Sequence, residues 1–244
     1  MTPVKKWKRW MAVGCSHGEL ICPESRKAVL DFAKKFKPDF KAHLGDFIDL
    51  AAMRGGVSSN VDSKDRARNI AQDVSEGISF LYEFAPNVIM LGNHEARLSL
   101  MSDSPNAVHA HAAQTVLNEL GDCAKKLKAK IYPYHNSKGV HRLGDLAMVH
   151  GYSCNVSAIR DHAETYGKVL MAHLHRVGIE RGRRIDSPTG YCLGAICNLD
   201  MEYSSSRRAS LAHSAGFAWG YYTENSTSVN LCEKQKHQPW LLPI

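Results

Sequence analysis

The sequence predicts a layered α/β fold in which central β-sheets are covered by helices. Short apolar strand-like runs alternate along the chain with stretches of helical periodicity. Two late apolar runs flank a polar turn, the pattern of a hairpin. The 244 residues are enough for one large domain with a substantial core.

The first strand is expected at Trp10–Cys15. Pro23 suits the first turn of a helix, and Val29, Leu30, Ala33 and Phe36 follow at helical spacing. A short run ends at Leu44 and leads into Gly45. Residues 64–84 read as a polar-faced helix with Ile70, Val74, Ile78 and Leu81 on one side. Val88–Leu91 is a strand, and Ala107–Lys128 holds a second long helix. Strand-like runs follow at 130–134 and 145–149, then a helix near 156–166 and a strand at 168–172. Phe217–Tyr222 and Ser228–Glu233 form the hairpin, within a C-terminal segment of about 215–234. Residues 51–66 are the most loop-like internal stretch and are expected to form a mobile flap. There is no internal repeat or linker, so residues 1–244 are read as a single domain.

The hydrophobic and charged contents, 44% and 23%, are ordinary for a soluble globular protein. No run approaches the roughly 18 apolar residues of a membrane span. The basic start, Met1 to Trp10, leads straight into a strand-like run without a cleavage signal. The expected location is therefore the cytoplasm, and the host cytoplasm if a virus encodes the chain. Seven cysteines without framework spacing fit reduced thiols, most of them in the core. The net charge of +7 favours polyanionic partners, DNA or RNA above all. Any single basic cluster is better explained by a solvated face, and only the overall excess counts. No partner membrane is expected, and the sequence leaves oligomeric state open.

Five segments set metal-competent side chains just after strand-like runs. They are Cys15-Ser16-His17-Gly18, Gly45-Asp46-Phe47-Ile48-Asp49, Gly92-Asn93-His94-Glu95, His150-Gly151 and His173-Leu174-His175. Strand ends are where an α/β sheet gathers residues distant in sequence. In extended backbone, residues i and i+2 share a face, so Cys15 with His17, and His173 with His175, would each point two donors into one pocket. Taken singly, a Gly–Asp pair is a turn and a histidine a core or surface residue. Five such blocks together are hard to explain as turns, and the mixed N, O and S donors suit a transition metal.

In order and type the blocks resemble the signature of the calcineurin-like metallophosphoesterases. That signature runs Asp-x-His, Gly-Asp-x-x-Asp, Gly-Asn-His-Glu/Asp, a His with Gly, and Gly-His-x-His. The resemblance spans residues 11–198, about the motif-bearing core, and implies a metallophosphoesterase-like fold with a dinuclear centre. It implies one metal held by Cys15, His17, Asp46 and His175. The other would be held by Asn93, His150 and His173, with Asp46 bridging the two. Such ions sit about 3.5–4 Å apart and clamp the oxygens of an in-line displacement, with a metal-bound hydroxide as nucleophile. By the same resemblance His94 is the catalytic residue that stabilises the phosphoryl group or protonates the leaving oxygen. Asp49 is expected to orient its ring. Arg97, three residues on, is read either as a phosphate clamp or as a solvated helix residue.

The pattern is broken in three places. Ala172 replaces a glycine, a small change. Leu50 stands where the protein Ser/Thr phosphatases carry arginine, which argues against a phosphoprotein substrate. Cys15 replaces the metal-binding aspartate of the first block. A thiolate is a softer ligand and biases the pair of divalent transition metals towards zinc or iron, with manganese as the alternative. The other reading is a buried thiol and a weakened or single-metal site. If Cys15 ligates, it should resist alkylation with metal bound and react once the metal is stripped.

The expected function is hydrolysis of a phosphoester, as a nuclease-like phosphodiesterase on nucleic acid or nucleotides. The basic balance and the mixed Lys5-Lys6-Trp7-Lys8-Arg9-Trp10 segment support it. The alternatives are a phosphomonoesterase on a small metabolite or nucleotide, and a non-catalytic module that binds metal or nucleic acid.

Overall fold

Strand β1 (Lys8–Val13) alternates two apolar faces, and both are buried. Trp10 and Ala12 pack with Leu146, Met148 and Leu170, whereas Met11 and Val13 pack with Val29, Phe32 and Phe36. A strand covered on both sides must lie inside a layered domain. The computed structural model describes residues 6–53, 69–200, 208–235 and 238–243. Its other strands and helices, in order, are α1 (Pro23–Phe36), β2 (Phe40–His43), α2 (Ile70–Phe84), β3 (Val88–Met90), α3 (Asn93–Ser102), α4 (Ala107–Leu127), β4 (Lys130–Tyr132), β5 (His141–Leu143), β6 (Leu146–Val149), α5 (Ala158–Tyr166), β7 (Val169–Met171), β8 (Val177–Arg181), β9 (Thr189–Leu193), β10 (Gly216–Tyr222) and β11 (Asn230–Glu233).

Two sheets stack face to face. The first has the order β11-β10-β1-β2-β3-β4, the second β5-β6-β7-β9-β8. Strands β1 to β4 run parallel, joined by helical crossovers, and so do β6, β7 and β9. Between the sheets lies one apolar layer that includes Trp10, Ala42, Met90, Met148 and Leu193. On the outer face of the first sheet, α1 covers Met11 and Phe217, and α2, α3 and α4 cover Ile89. Helix α5 covers Val149, Val169 and Met171 on the second. Each fully buried aliphatic or aromatic side chain adds about 1.5–3 kcal/mol of transfer free energy. The result is the expected layering, with helices outside and sheets at the centre.

The expected hairpin is β10 and β11, and it extends the first sheet antiparallel to β1, with Ala12 opposite Ala218. Helix α2 starts later than expected, capped by the Asn69 side chain, which accepts from Ala71 and Gln72. Residues 64–68 and most of the expected flap lie outside the described residues; Ala51–Met53 form a short 3-10 turn. Among the described residues no helix is long and apolar enough to cross a membrane. All seven cysteines are free, and five are buried.

Candidate metal centre

Every expected donor follows the C-terminal end of a parallel strand, so the topology gathers them along one edge of the sandwich. Cys15 and His17 follow β1, Asp46 and Asp49 follow β2, and Asn93 and His94 open α3 after β3. His150 follows β6, and His173 and His175 follow β7. Three groups of donor atoms converge, each within 4.8 Å: Cys15, His17, Asp46 and His175; Asp46, His150 and His173; and His17, Asp49 and His94. Asp46 belongs to the first two groups. Asn93 joins the second through its Oδ1, 3.1 Å from His150 Nε2.

The backbone that achieves this is not extended. Cys15, His17, Asp46, His173 and His175 all have left-handed φ, between 51° and 68°. They are half of the ten non-glycine residues in that region among those described, although such residues are uncommon. The expected i, i+2 face is therefore replaced by consecutive tight turns, and His173 and His175 go to different donor groups. Strained backbone of this kind costs of order 1–3 kcal/mol per residue and concentrates at functional sites. Two glycines of the blocks are required by close approach. A Cβ at Gly92 would stand 2.1 Å from Asp46 Oδ1, and one at Gly45 would stand 2.5 Å from His150 Nδ1.

The carboxylates set the imidazoles. His17 Nδ1 lies 2.8 Å from Asp49 Oδ1, so its proton is directed there and its Nε2 lone pair faces His175 Nε2 at 3.0 Å. Two nitrogens held by one tetrahedral zinc ion are roughly 3.3 Å apart. His150 Nδ1 donates to the Leu44 carbonyl at 2.7 Å, leaving Nε2 3.2 Å from Asp46 Oδ2. His94 Nδ1 is 2.5 Å from the Asp49 carbonyl oxygen and 3.4 Å from its carboxylate, and Nε2 lies 3.9 Å from Asp46 Oδ2. Asp49 was expected to serve His94. It holds His94 mainly through its main chain, and its carboxylate is closer to His17.

Burial and charge shape the ionisation. Burial keeps His17, His173 and His175 neutral by lowering their pKa values, His173 to about 4. Neutral imidazole is the form that binds a metal. For His94, burial also acts downwards, but the Asp46 and Asp49 carboxylates outweigh it and raise the value above 6.5. Burial works to raise Asp46; His150 and His94 overcome this and hold it well below the usual carboxylate range. Burial, and then Asp46, raise the Cys15 thiol well above 9. Its Sγ accepts from His173 N at 3.3 Å. Burial thus favours the protonated thiol at Cys15 and encloses it.

Arg97 Nη1 donates to the Asp49 and Leu50 carbonyls at 3.1 and 3.3 Å, fastening the loop that carries Asp49. Trp10 is fully buried, with Nε1 bonded to the Ser228 carbonyl, so it offers no stacking surface. Lys6 to Arg9 lie at the start of β1, about 20 Å of strand away from the donors that follow its end. Two buried acids escaped the sequence reading. Glu95 accepts the Asp46, Ile48 and Gly92 amides at 2.9, 3.0 and 2.7 Å. Asp73, from α2, accepts those of Asp49 and Leu50 at 3.1 and 2.7 Å. Glu95 had a signal, its place in the Gly-Asn-His-Glu block; Asp73 had none.

No family model matches the chain, and no curated protein matches it in sequence. Solved structures do. An archaeal phosphodiesterase aligns over 91% of this chain and 99% of its own at 14% identity, with a TM-score of 0.47. A phosphoesterase from E. coli covers 91% and 97% at 13% identity and a TM-score of 0.40. Vps29 from Entamoeba histolytica, solved as a zinc complex, covers 92% and 98% at 9% identity and 0.39. At such identities and scores the likeness carries nothing about chemistry, which rests on the donor geometry itself.

Proposed function

We propose that the protein is a metal-dependent phosphoester hydrolase, acting as a phosphodiesterase on nucleic acid or nucleotides. The observation that carries this is Asp46, one buried carboxylate common to two separate donor groups. The donor set fits a pair of divalent transition metals. Cys15, His17, Asp46 and His175 would hold one, and Asp46, Asn93, His150 and His173 the other, with sulfur favouring zinc or iron at the first. Bound there, such ions lower the pKa of water and offset the charge of a phosphoryl group.

The chain's own residues do the rest. The Asp49 carbonyl holds His94 Nδ1, and the Asp46 and Asp49 carboxylates favour the protonated ring. His94 donates a proton to a phosphoryl oxygen or to the departing alkoxide. Asp49 fixes two rings, His17 by its carboxylate and His94 by its carbonyl. The net charge of +7 supports a polyanionic substrate. The test is hydrolysis of bis(p-nitrophenyl) phosphate, p-nitrophenyl phosphate and single-stranded DNA by protein of measured metal content. Diester cleavage that requires metal is expected. A strong preference for the monoester with no DNA cleavage would replace the diesterase reading. Absence of all hydrolysis, beside DNA binding unaffected by His94→Ala, would replace the enzyme.

A further inference from the structure

Tyr134 stands beside the second donor group, on the loop that follows β4. Its ring meets that of His150 edge-on, with centroids 5.7 Å apart. The loop is tied down by two other tyrosines. Tyr152 donates its hydroxyl to the His135 carbonyl at 2.9 Å, with the Gly139 carbonyl at 3.2 Å, and Tyr166 donates to the Asn136 carbonyl at 2.7 Å. Gly139 N closes the turn onto His135 O at 2.7 Å. The Tyr152 ring backs Tyr134 at 5.2 Å and is itself stacked on His162. The Tyr134 ring is therefore fixed before any ligand arrives, as positioning of a reactant requires.

Of these three tyrosines, two use their hydroxyls on backbone carbonyls. The half-buried Tyr134 hydroxyl has no hydrogen-bond partner among the described residues. Burial, and after it the Asp46 carboxylate, raise its pKa above 10. The edge-on contact with His150 sets the ring beside the second donor group, and a phenol is an intact O–H donor throughout the neutral range. A neutral donor beside a cluster of imidazoles suits an anionic oxygen, because it adds no charge to repel the bound cations.

We propose that Tyr134 contacts the substrate, donating a hydrogen bond from its hydroxyl to a non-bridging oxygen of the bound phosphoester. This rests on the phosphoester-hydrolase reading. If the ring served packing alone, phenylalanine would replace it without loss.

The experiment compares wild type, Tyr134→Phe and Tyr134→Ala loaded with zinc. Metal content, melting temperature, kcat and KM on bis(p-nitrophenyl) phosphate, and calorimetric affinity for inorganic phosphate are measured. Tyr134→Phe is expected to keep metal content and melting temperature, and to lose about ten-fold in both phosphate affinity and kcat/KM. Tyr134→Ala should be impaired at least as much. A Tyr134→Phe variant equal to wild type in both readouts overturns the proposal, even if Tyr134→Ala is defective. If wild type binds phosphate but cleaves no ester, the hydrolase reading falls and the phosphate titration still decides Tyr134. If wild type neither binds phosphate nor cleaves an ester, both fall.

Discussion

Glu95 holds Asp46 in place without touching the cleft: its carboxylate accepts the Asp46 amide at 2.9 Å and those of Ile48 and Gly92 alongside. Asp46 is in left-handed backbone, and this three-amide clamp offsets that strain. Glu95→Gln turns an N–H towards amides that are themselves donors. Groups that support a metal ligand in this way contribute about ten- to a hundred-fold in metal affinity. Zinc affinity of Glu95→Gln, measured by competition with a chromophoric chelator, should fall by that factor, and the melting temperature should drop. Unchanged affinity would mean that the clamp serves folding only.

Asp49 serves two histidines, so Asp49→Asn and His94→Ala should fail differently. His94→Ala removes the proton donor and should lower kcat about 100- to 10,000-fold with metal content intact. Asp49→Asn leaves His17 Nδ1 at most a neutral amide oxygen in place of the carboxylate, so metal content should fall together with rate. Elemental analysis of both variants beside their kinetics separates the two roles. Full metal content in Asp49→Asn would confine Asp49 to His94.

Much of this was legible in the sequence because strand ends carry their signals locally. Pro23 opens α1, and Asp46 and His150 sit next to their glycines. Other features depend on partners far along the chain. Strands β5 and β8 are short edge strands, half exposed, with too little apolar alternation to stand out. In β8 and β9, Gly178 and Gly190 interrupt the pattern further. That β10 pairs with β1 follows from tertiary contacts alone. The left-handed turns at Cys15, His17, His173 and His175 were not legible, because histidine adopts that backbone more often than most residue types but still too rarely to mark a turn by itself. Asp73 lies in the first turn of α2, where an acid is ordinary, and only the fold aims it at the Asp49 loop.

The Cys15 sulfur, enclosed beside His17, Asp46 and His175, makes a spectroscopic prediction. Protein loaded with cobalt(II) should show a near-ultraviolet thiolate-to-metal charge-transfer band. Cys15→Asp should abolish the band, keep cobalt bound, and shift preference from zinc towards manganese, because carboxylate is the harder ligand. Iodoacetamide should modify Cys15 slowly in both metal-loaded and stripped protein, since burial keeps the free thiol protonated. A band that survives Cys15→Asp would remove the sulfur from the coordination sphere.

His43 gives the metal-free protein an acid limit. Fully buried at the end of β2, it contacts Ser16 Oγ through Nε2 at 3.0 Å and accepts from Gly45 N at 3.2 Å. Burial lowers its pKa to about 3, against 6.5 in the unfolded chain. The unfolded state thus binds the proton first. The stability that His43 confers is whole above pH 6.5 and is lost as pH falls from there towards 3. Per pH unit in that window the loss is about 1.4 kcal/mol. His43→Gln should therefore be less stable than wild type at pH 7.5, and the gap should close on acidification. Urea unfolding of chelator-treated protein between pH 7.5 and 4.5 measures this directly. A gap that stays constant across the range would show that His43 is protonated inside the fold.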